Sequence, residues 1–390
     1  MMKTNVQVPP FASKYFILSI VFLPHLFQYT TPLSGFTWGD CFLMFSGVIY
    51  FLSGSYRVES KFLGLITYIV ILTFLLKMNG EVMRITTTIH YLAYLIMVML
   101  MRRLTEYRKY FIDIYCKSTL VSAGLMVIQT IALQTEGICI PGVLTFLPLT
   151  DENMYDYANV VISHNSGRCM SFFAEPSHYA VYVLPFLILK LISCNGINKN
   201  NLLQAAFVTV SLIMCASFTG ILSAIFVWGI FVVILALNRK LYFQHILLIT
   251  IAGIVCAYLM LNSFSGNYLS DGDIYERQSA GRFIGFSFLD VVNISNNAFY
   301  FGSGMNEIGE TIYLPGWPRL LYYYGIVGSA LYVITLVSCI HRKTVSFIIL
   351  ALLGILMIGT EVNFGCYFVL YMLCIYCTRD IPLLQTTNYK

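Results

Sequence analysis

The run Arg168-Cys-Met-Ser-Phe-Phe-Ala-Glu-Pro-Ser-His-Tyr-Ala180 sets ionisable groups where a polar stretch turns into an apolar one. Charge at the edge of hydrocarbon is expensive and marks function more often than ordinary surface charge does. Arg168 and Glu175 are seven residues apart, so a helical segment would place them about two turns apart on one face. His178, Tyr179 and Tyr182 continue that face at i+3, i+4 and i+7 from Glu175. Pro176 suits the first helical position, where its missing N–H costs nothing, and this leaves Glu175 just outside the positive end of the helix. An Arg fork grips phosphate through paired hydrogen bonds, and a carboxylate beside it either takes a proton from a hydroxyl or orients the Arg. The same pair would also serve as a plain ion pair at a membrane surface.

The elements that must hold these groups are membrane helices. Hydrophobic residues make up 58% and charged residues 11% of 390, a balance that excludes a soluble chain of this length. A span needs roughly 20 apolar residues. Twelve stretches are expected as spans: 15–31, 38–54, 62–79, 86–101, 118–134, 171–192, 202–218, 220–237, 241–262, 319–340, 344–359 and 361–377. No small-x-small cleavage site follows the first, which is expected to remain as a helix. The fold class is therefore an all-α polytopic integral membrane protein of about 12 transmembrane helices, a single membrane domain over 1–390. Two longer outer segments, 135–170 and 263–318, exceed what a connection needs.

The charges give the orientation. Arg57 and Lys61, the block from Arg102 to Lys117, Lys190 and Lys199, Arg239 and Lys240, Arg342 and Lys343, and Arg379 and Lys390 all fall on the side of Lys3 and Lys14. The positive-inside rule makes that side cytoplasmic, with both termini there. Only Lys77, Arg84, Arg168, Arg277, Arg282 and Arg319 of the 23 basic residues fall outside. The net charge of +5 is thus a matter of topology, and no basic patch for nucleic acid exists.

Four of the outer residues, Arg168, Arg277, Arg282 and Arg319, flank the two long segments. Aromatic residues in Arg282-Phe-Ile-Gly-Phe-Ser-Phe-Leu289 suit the membrane surface. Asp271-Gly-Asp273 has a metal-compatible spacing, but nothing nearby completes a shell, and an ordinary turn is the reading preferred. Gly302-Ser-Gly304 lacks a βαβ context and reads as a loop turn. The eleven Cys are scattered, most of them in apolar runs, and suggest neither a zinc site nor a disulfide framework. His164 and His178 are the two histidines flanking the opening run.

Three blocks resemble bacterial O-antigen and capsule repeat-unit polymerases, the Wzy class. They are Gly167-Arg168 through Ala180, Ser217-Phe-Thr-Gly220, and Gly281-Arg282 through Phe301-Gly-Ser-Gly-Met-Asn306, the last followed by Tyr324-Gly-Ile-Val-Gly328. The first block is fairly specific and the others are weak alone; together they order most of 160–330. The resemblance implies a metal-independent, cofactor-free glycosyltransferase of GT-C-like fold in the bacterial inner membrane. It would join oligosaccharide repeat units linked to undecaprenyl diphosphate at the periplasmic face, among membrane lipid and beside a chain-length regulator and a flippase. Glu175, Arg282 and Arg168 would be catalytic, with Arg277, Arg319, His178 and Tyr179 binding substrate. Arg forks would stabilise the departing diphosphate. Glu175 would be the general base or would orient Arg168, the latter preferred because a carboxylate beside an Arg is a weak base. The related O-antigen ligases tend to carry a His before the Gly-Ile-x-Gly element, where this chain has Pro315-Gly-Trp-Pro-Arg-Leu-Leu-Tyr-Tyr-Tyr324. A ligase and a lipid-linked oligosaccharide flippase or transporter are the alternative readings.

Overall fold

The computed structural model describes residues 10–383 except Ser34, Ser55, Val82, 165–166, 194–197, 238–295 and 307–313, and leaves the side chains of Asn153, Ser163, His164 and Asn296 aside. Regular structure among the described residues is helical, with only isolated β-bridges. The helices are α1 (Phe11–Leu26), α2 (Trp38–Leu52), α3 (Leu63–Met78), α4 (Ile85–Leu100), α5 (Arg108–Glu136), α6 (Pro176–Leu191), α7 (Lys199–Met214) and α8 (Phe218–Leu237). After the undescribed stretch come α9 (Asn296–Phe301), α10 (Gly316–Ser338), α11 (Val345–Gly359) and α12 (Cys366–Thr378).

Each expected span except 241–262, which lies outside the described residues, falls on one of these helices. Among the described residues, four helical segments are long and apolar enough to cross a membrane: Ser60–Met78, Arg102–Glu136, Phe218–Leu237 and Gly316–Ser338. Shorter apolar helices accompany them, and the chain is a helical membrane-embedded protein. The basic block Arg102–Lys117, expected as a connection, is helical: a 3-10 turn over Arg102–Tyr107 leads into α5. At ~1.5 Å per residue α5 is about 43 Å long, more than the ~30 Å of hydrocarbon, so its charged first turns need not enter the apolar layer. Much of the second long segment is outside the described residues, and so are Lys3, Asp271, Asp273, Arg277 and Arg282.

The chain divides into two compact units. In the first (1–115, 282–342, 349–380), every residue of α12 is buried. A helix apolar on all sides has no solvent face to present and becomes a core; α12 is packed by α1, α4 and the Arg102–Tyr107 turn. α1 lies on α2, and α10 takes α3 and α9. Asp40, wholly buried at the start of α2, closes a capping box with Thr37 and accepts from Tyr94 Oη at 2.5 Å, while His90 Nε2 stands 2.9 Å from the same carboxylate. These contacts offset the cost of a buried charge.

In the second unit (116–281, 343–348, 381–390), α6 is the core helix, buried along nearly its whole length and packed by α7 and α8. Its start follows from local rules, since Pro176 occupies the first turn and Glu175 precedes it in extended backbone (φ −143°). Leu222, Ile225, Val233 and Leu237 leave an exposed apolar stripe on α8, a surface that suits lipid.

Candidate functional site

The opening motif is built in the second unit from a loop and the head of α6. Arg168 is not helical, so the two-turn relationship expected between Arg168 and Glu175 does not hold. The physical reason is Ser171, whose φ of +54° is left-handed and ends any helical path between them. That backbone is held from α5. Ser171 donates its N–H to Gln129 Oε1 at 2.8 Å and its hydroxyl to the Ser122 carbonyl at 2.7 Å. Gln129 Nε2 donates in turn to the Ile140 carbonyl at 3.0 Å and the Tyr157 hydroxyl at 3.1 Å. Burial pushes the Cys169 thiol up to about 11, against a smaller opposing effect of its hydrogen bond with Thr130.

The second motif block packs onto the first within this unit. Ala216, just before Ser217-Phe-Thr-Gly220, is also left-handed (φ +49°). Cys215 Sγ lies 3.8 Å from the Pro176 carbonyl, Gly220 sits against Ala180, and the Arg168 guanidinium is within electrostatic range of Cys215. Two strained non-glycine residues, one in each motif loop, are the kind of local cost that persists at functional sites.

The expected site residues divide by exposure. Glu175 is exposed and accepts from Ser177 Oγ at 2.8 Å. His178 is half-buried, within electrostatic range of Glu175. Tyr179, expected to bind substrate, is fully buried, with its hydroxyl bonded to Ser211 Oγ on α7. That arrangement ties α6 to α7 and leaves Tyr179 no open face. Tyr182 Oη likewise donates to Ser118 Oγ at 2.9 Å. Arg277, Arg282 and the His164 side chain lie outside the described residues.

The described part of the third block, from Asn296 onward, lies in the first unit. Gly302-Ser-Gly304 does not stay an isolated turn: Ser303 N–H donates to the Tyr322 carbonyl and Gly304 N–H to the Tyr323 carbonyl, each at 2.9 Å. Both carbonyls stand just before the break of α10 at Gly325 (φ +61°, ψ −170°), a conformation open only to glycine. Tyr68 Oη bridges the two pieces, donating toward Phe301 O at 2.7 Å and Tyr324 O at 2.9 Å. Arg319 is ion-paired with Glu361, donates from Nε to the Leu314 carbonyl at 3.0 Å, and hydrogen-bonds the Tyr323 hydroxyl. Arg84 is also within electrostatic range of that hydroxyl.

Sequence reasoning passed over Gln129, Tyr68 and Arg84 as site-building residues. A signal existed for Gln129, an amide in an otherwise apolar run. Tyr68 carried none, since its partners are more than 200 residues away in the chain, and Arg84 stood out only as one of the six outer basic residues. Among groups of three or more His, Cys, Asp or Glu in the described residues, none could hold a metal ion. Compared with family models, curated proteins and solved structures, the chain returns no match.

Proposed function

We propose that this protein is an oligosaccharide repeat-unit polymerase, a glycosyltransferase that extends a surface polysaccharide at the outer face of the bacterial inner membrane. The reading takes the full set of about 12 spans, a GT-C-like arrangement and cytoplasmic termini. Its donor is a growing glycan on undecaprenyl diphosphate, and its acceptor is a hydroxyl on one lipid-linked repeat unit. The new C–O bond forms as the sugar–diphosphate bond breaks, and the acceptor proton leaves to a base. With the leaving group already on the donor, no nucleotide is consumed. Arg168 supplies fork donors to the departing diphosphate, and Glu175 orients the guanidinium or takes the acceptor proton.

The observation that carries this reading is that the first and second motif blocks pack against each other around the head of α6, leaving Glu175 exposed there and Arg168 half-buried beside Cys215. Residues merely scattered through a lipid-facing surface would not need a left-handed serine pinned by hydrogen bonds from both Gln129 and Ser122.

The test is the product left when the protein is absent. Cells without a polymerase still flip and attach one unit, leaving a surface glycan of a single repeat. Loss of a ligase would leave polymer on undecaprenyl diphosphate, and loss of a flippase would leave no exported unit. Full-length polymer in a clean deletion strain would overturn the proposal.

A further inference from the structure

The cysteines show no framework in the sequence, yet the fold of the second unit gathers two of them. Cys139 lies just past the end of α5, and Cys169 lies in the motif loop 30 residues later. One side chain ties the neighbourhoods of both together: Gln129 donates to the carbonyl of Ile140, next to Cys139, and accepts the N–H of Ser171, two residues past Cys169. Gly142 runs so close to Ser171 that a Cβ there would overlap the Ser171 carbonyl. Its N–H also bonds the Tyr157 hydroxyl, and that hydroxyl feels both thiols. Cys139 and Cys169 are within electrostatic range of each other, Cys139 partly exposed and Cys169 buried, and both are free thiols.

We propose that Cys139 and Cys169 are a disulfide-forming pair that staples the start of the first long segment to the loop carrying Arg168 and Ser171. In cells this modification rests on the proposed outward placement of 135–170, because disulfides persist outside the cytoplasm and are reduced within it. The bond forms by exchange with a small-molecule or protein disulfide. The Cys139 thiolate attacks the oxidant and releases one thiolate; the Cys169 thiolate then attacks the mixed disulfide at Cys139 and releases the second. Two protein thiols are oxidised, one external disulfide is reduced to two thiols, and no other electron acceptor is needed. Cys139 is the entry point because it is the accessible member. Cys215, within electrostatic range of Cys169, is fully buried with its Sγ against the Pro176 carbonyl, which makes it the poorer partner. The raised Cys169 thiol makes the second step faster as pH rises toward about 11, since the thiolate fraction grows with pH.

The experiment treats the purified full chain in detergent with oxidised glutathione and maps non-reduced peptides by mass spectrometry. A Cys139–Cys169 cross-linked peptide, lost in Cys139→Ser and formed several-fold faster at pH 9 than at pH 7, is the expected result. A Cys169–Cys215 link, or glutathione remaining on Cys139 with no internal bond, would overturn the pairing. The same mapping on protein alkylated in intact cells tests placement separately. A pair that forms in detergent but is found as two alkylated thiols in cells keeps the pairing and overturns both the cellular modification and the outward placement.

Discussion

Gln129 holds Ser171 from 42 residues away: its Oε1 accepts the Ser171 N–H at 2.8 Å while its Nε2 serves Ile140 and Tyr157. A left-handed serine costs about 1–2 kcal/mol, a sum that two net hydrogen bonds of ~1 kcal/mol each are large enough to offset. The loop bearing Arg168 is therefore positioned by a side chain about two turns before the end of α5.

Gln129→Ala should then lower stability by about 2 kcal/mol, because it leaves the Ser171 N–H without its acceptor. Ser171→Ala keeps the left-handed backbone and loses the bond to Ser122, for a loss of about 1 kcal/mol. Ser171→Gly loses the same bond but relieves the strain and should fall within about 0.5 kcal/mol of the parent. Thermal melts in detergent give the order; a glycine variant less stable than the alanine one would contradict the strain account.

Glu175→Gln keeps the size of an exposed side chain and removes its charge, so folding should be untouched while polymerisation falls about tenfold or more. Arg282→Lys retains charge but loses the bidentate fork and should show a drop of similar size. Polymer length from well-expressed variants, read on gels of surface glycan, decides the point. Normal polymer from the double variant would reject this site while leaving the function open.

Gly325→Ala would have to adopt φ +61° with ψ −170° and push its methyl group into the Tyr300 carbonyl. The backbone conformation alone costs about 1–3 kcal/mol, and the overlap adds to it. We expect the variant to lose folded protein in size-exclusion profiles, or to retain a straightened α10 with no polymerisation. An active, equally stable Gly325→Ala protein would show that the break is dispensable.

Arg319 and Glu361 form an ion pair whose carboxylate is 46% exposed. Screening at such a site limits the coupling to about 1 kcal/mol or less. A double-mutant cycle with Arg319→Ala and Glu361→Ala should return a coupling in that range, smaller in high salt. If Arg319 also contacts substrate, its single variant will reduce polymerisation further than Glu361→Ala does; equal losses would assign it a structural role only.

Some of this was legible from residues alone. The start of α6 was, because Pro176 states its own preference locally. Membrane character was too, since a chain with so few charges has no soluble alternative. Most helix positions followed because an apolar run in lipid must satisfy its backbone internally, whatever surrounds it. The relation of Arg168 to Glu175 was not legible: a helical register was the natural expectation, and a left-handed Ser171 cancels it only because Gln129 and Ser122 lie where the fold brings them. Gly302-Ser-Gly304 read as a plain turn, and only tertiary packing laid its amides on the Tyr322 and Tyr323 carbonyls beside the break at Gly325. Tyr179 looked available on a helix face until α7 covered it through Ser211. Local preference acts over a few residues and can be read along the chain. Which distant groups meet is settled by packing, and the candidate site is made of such meetings.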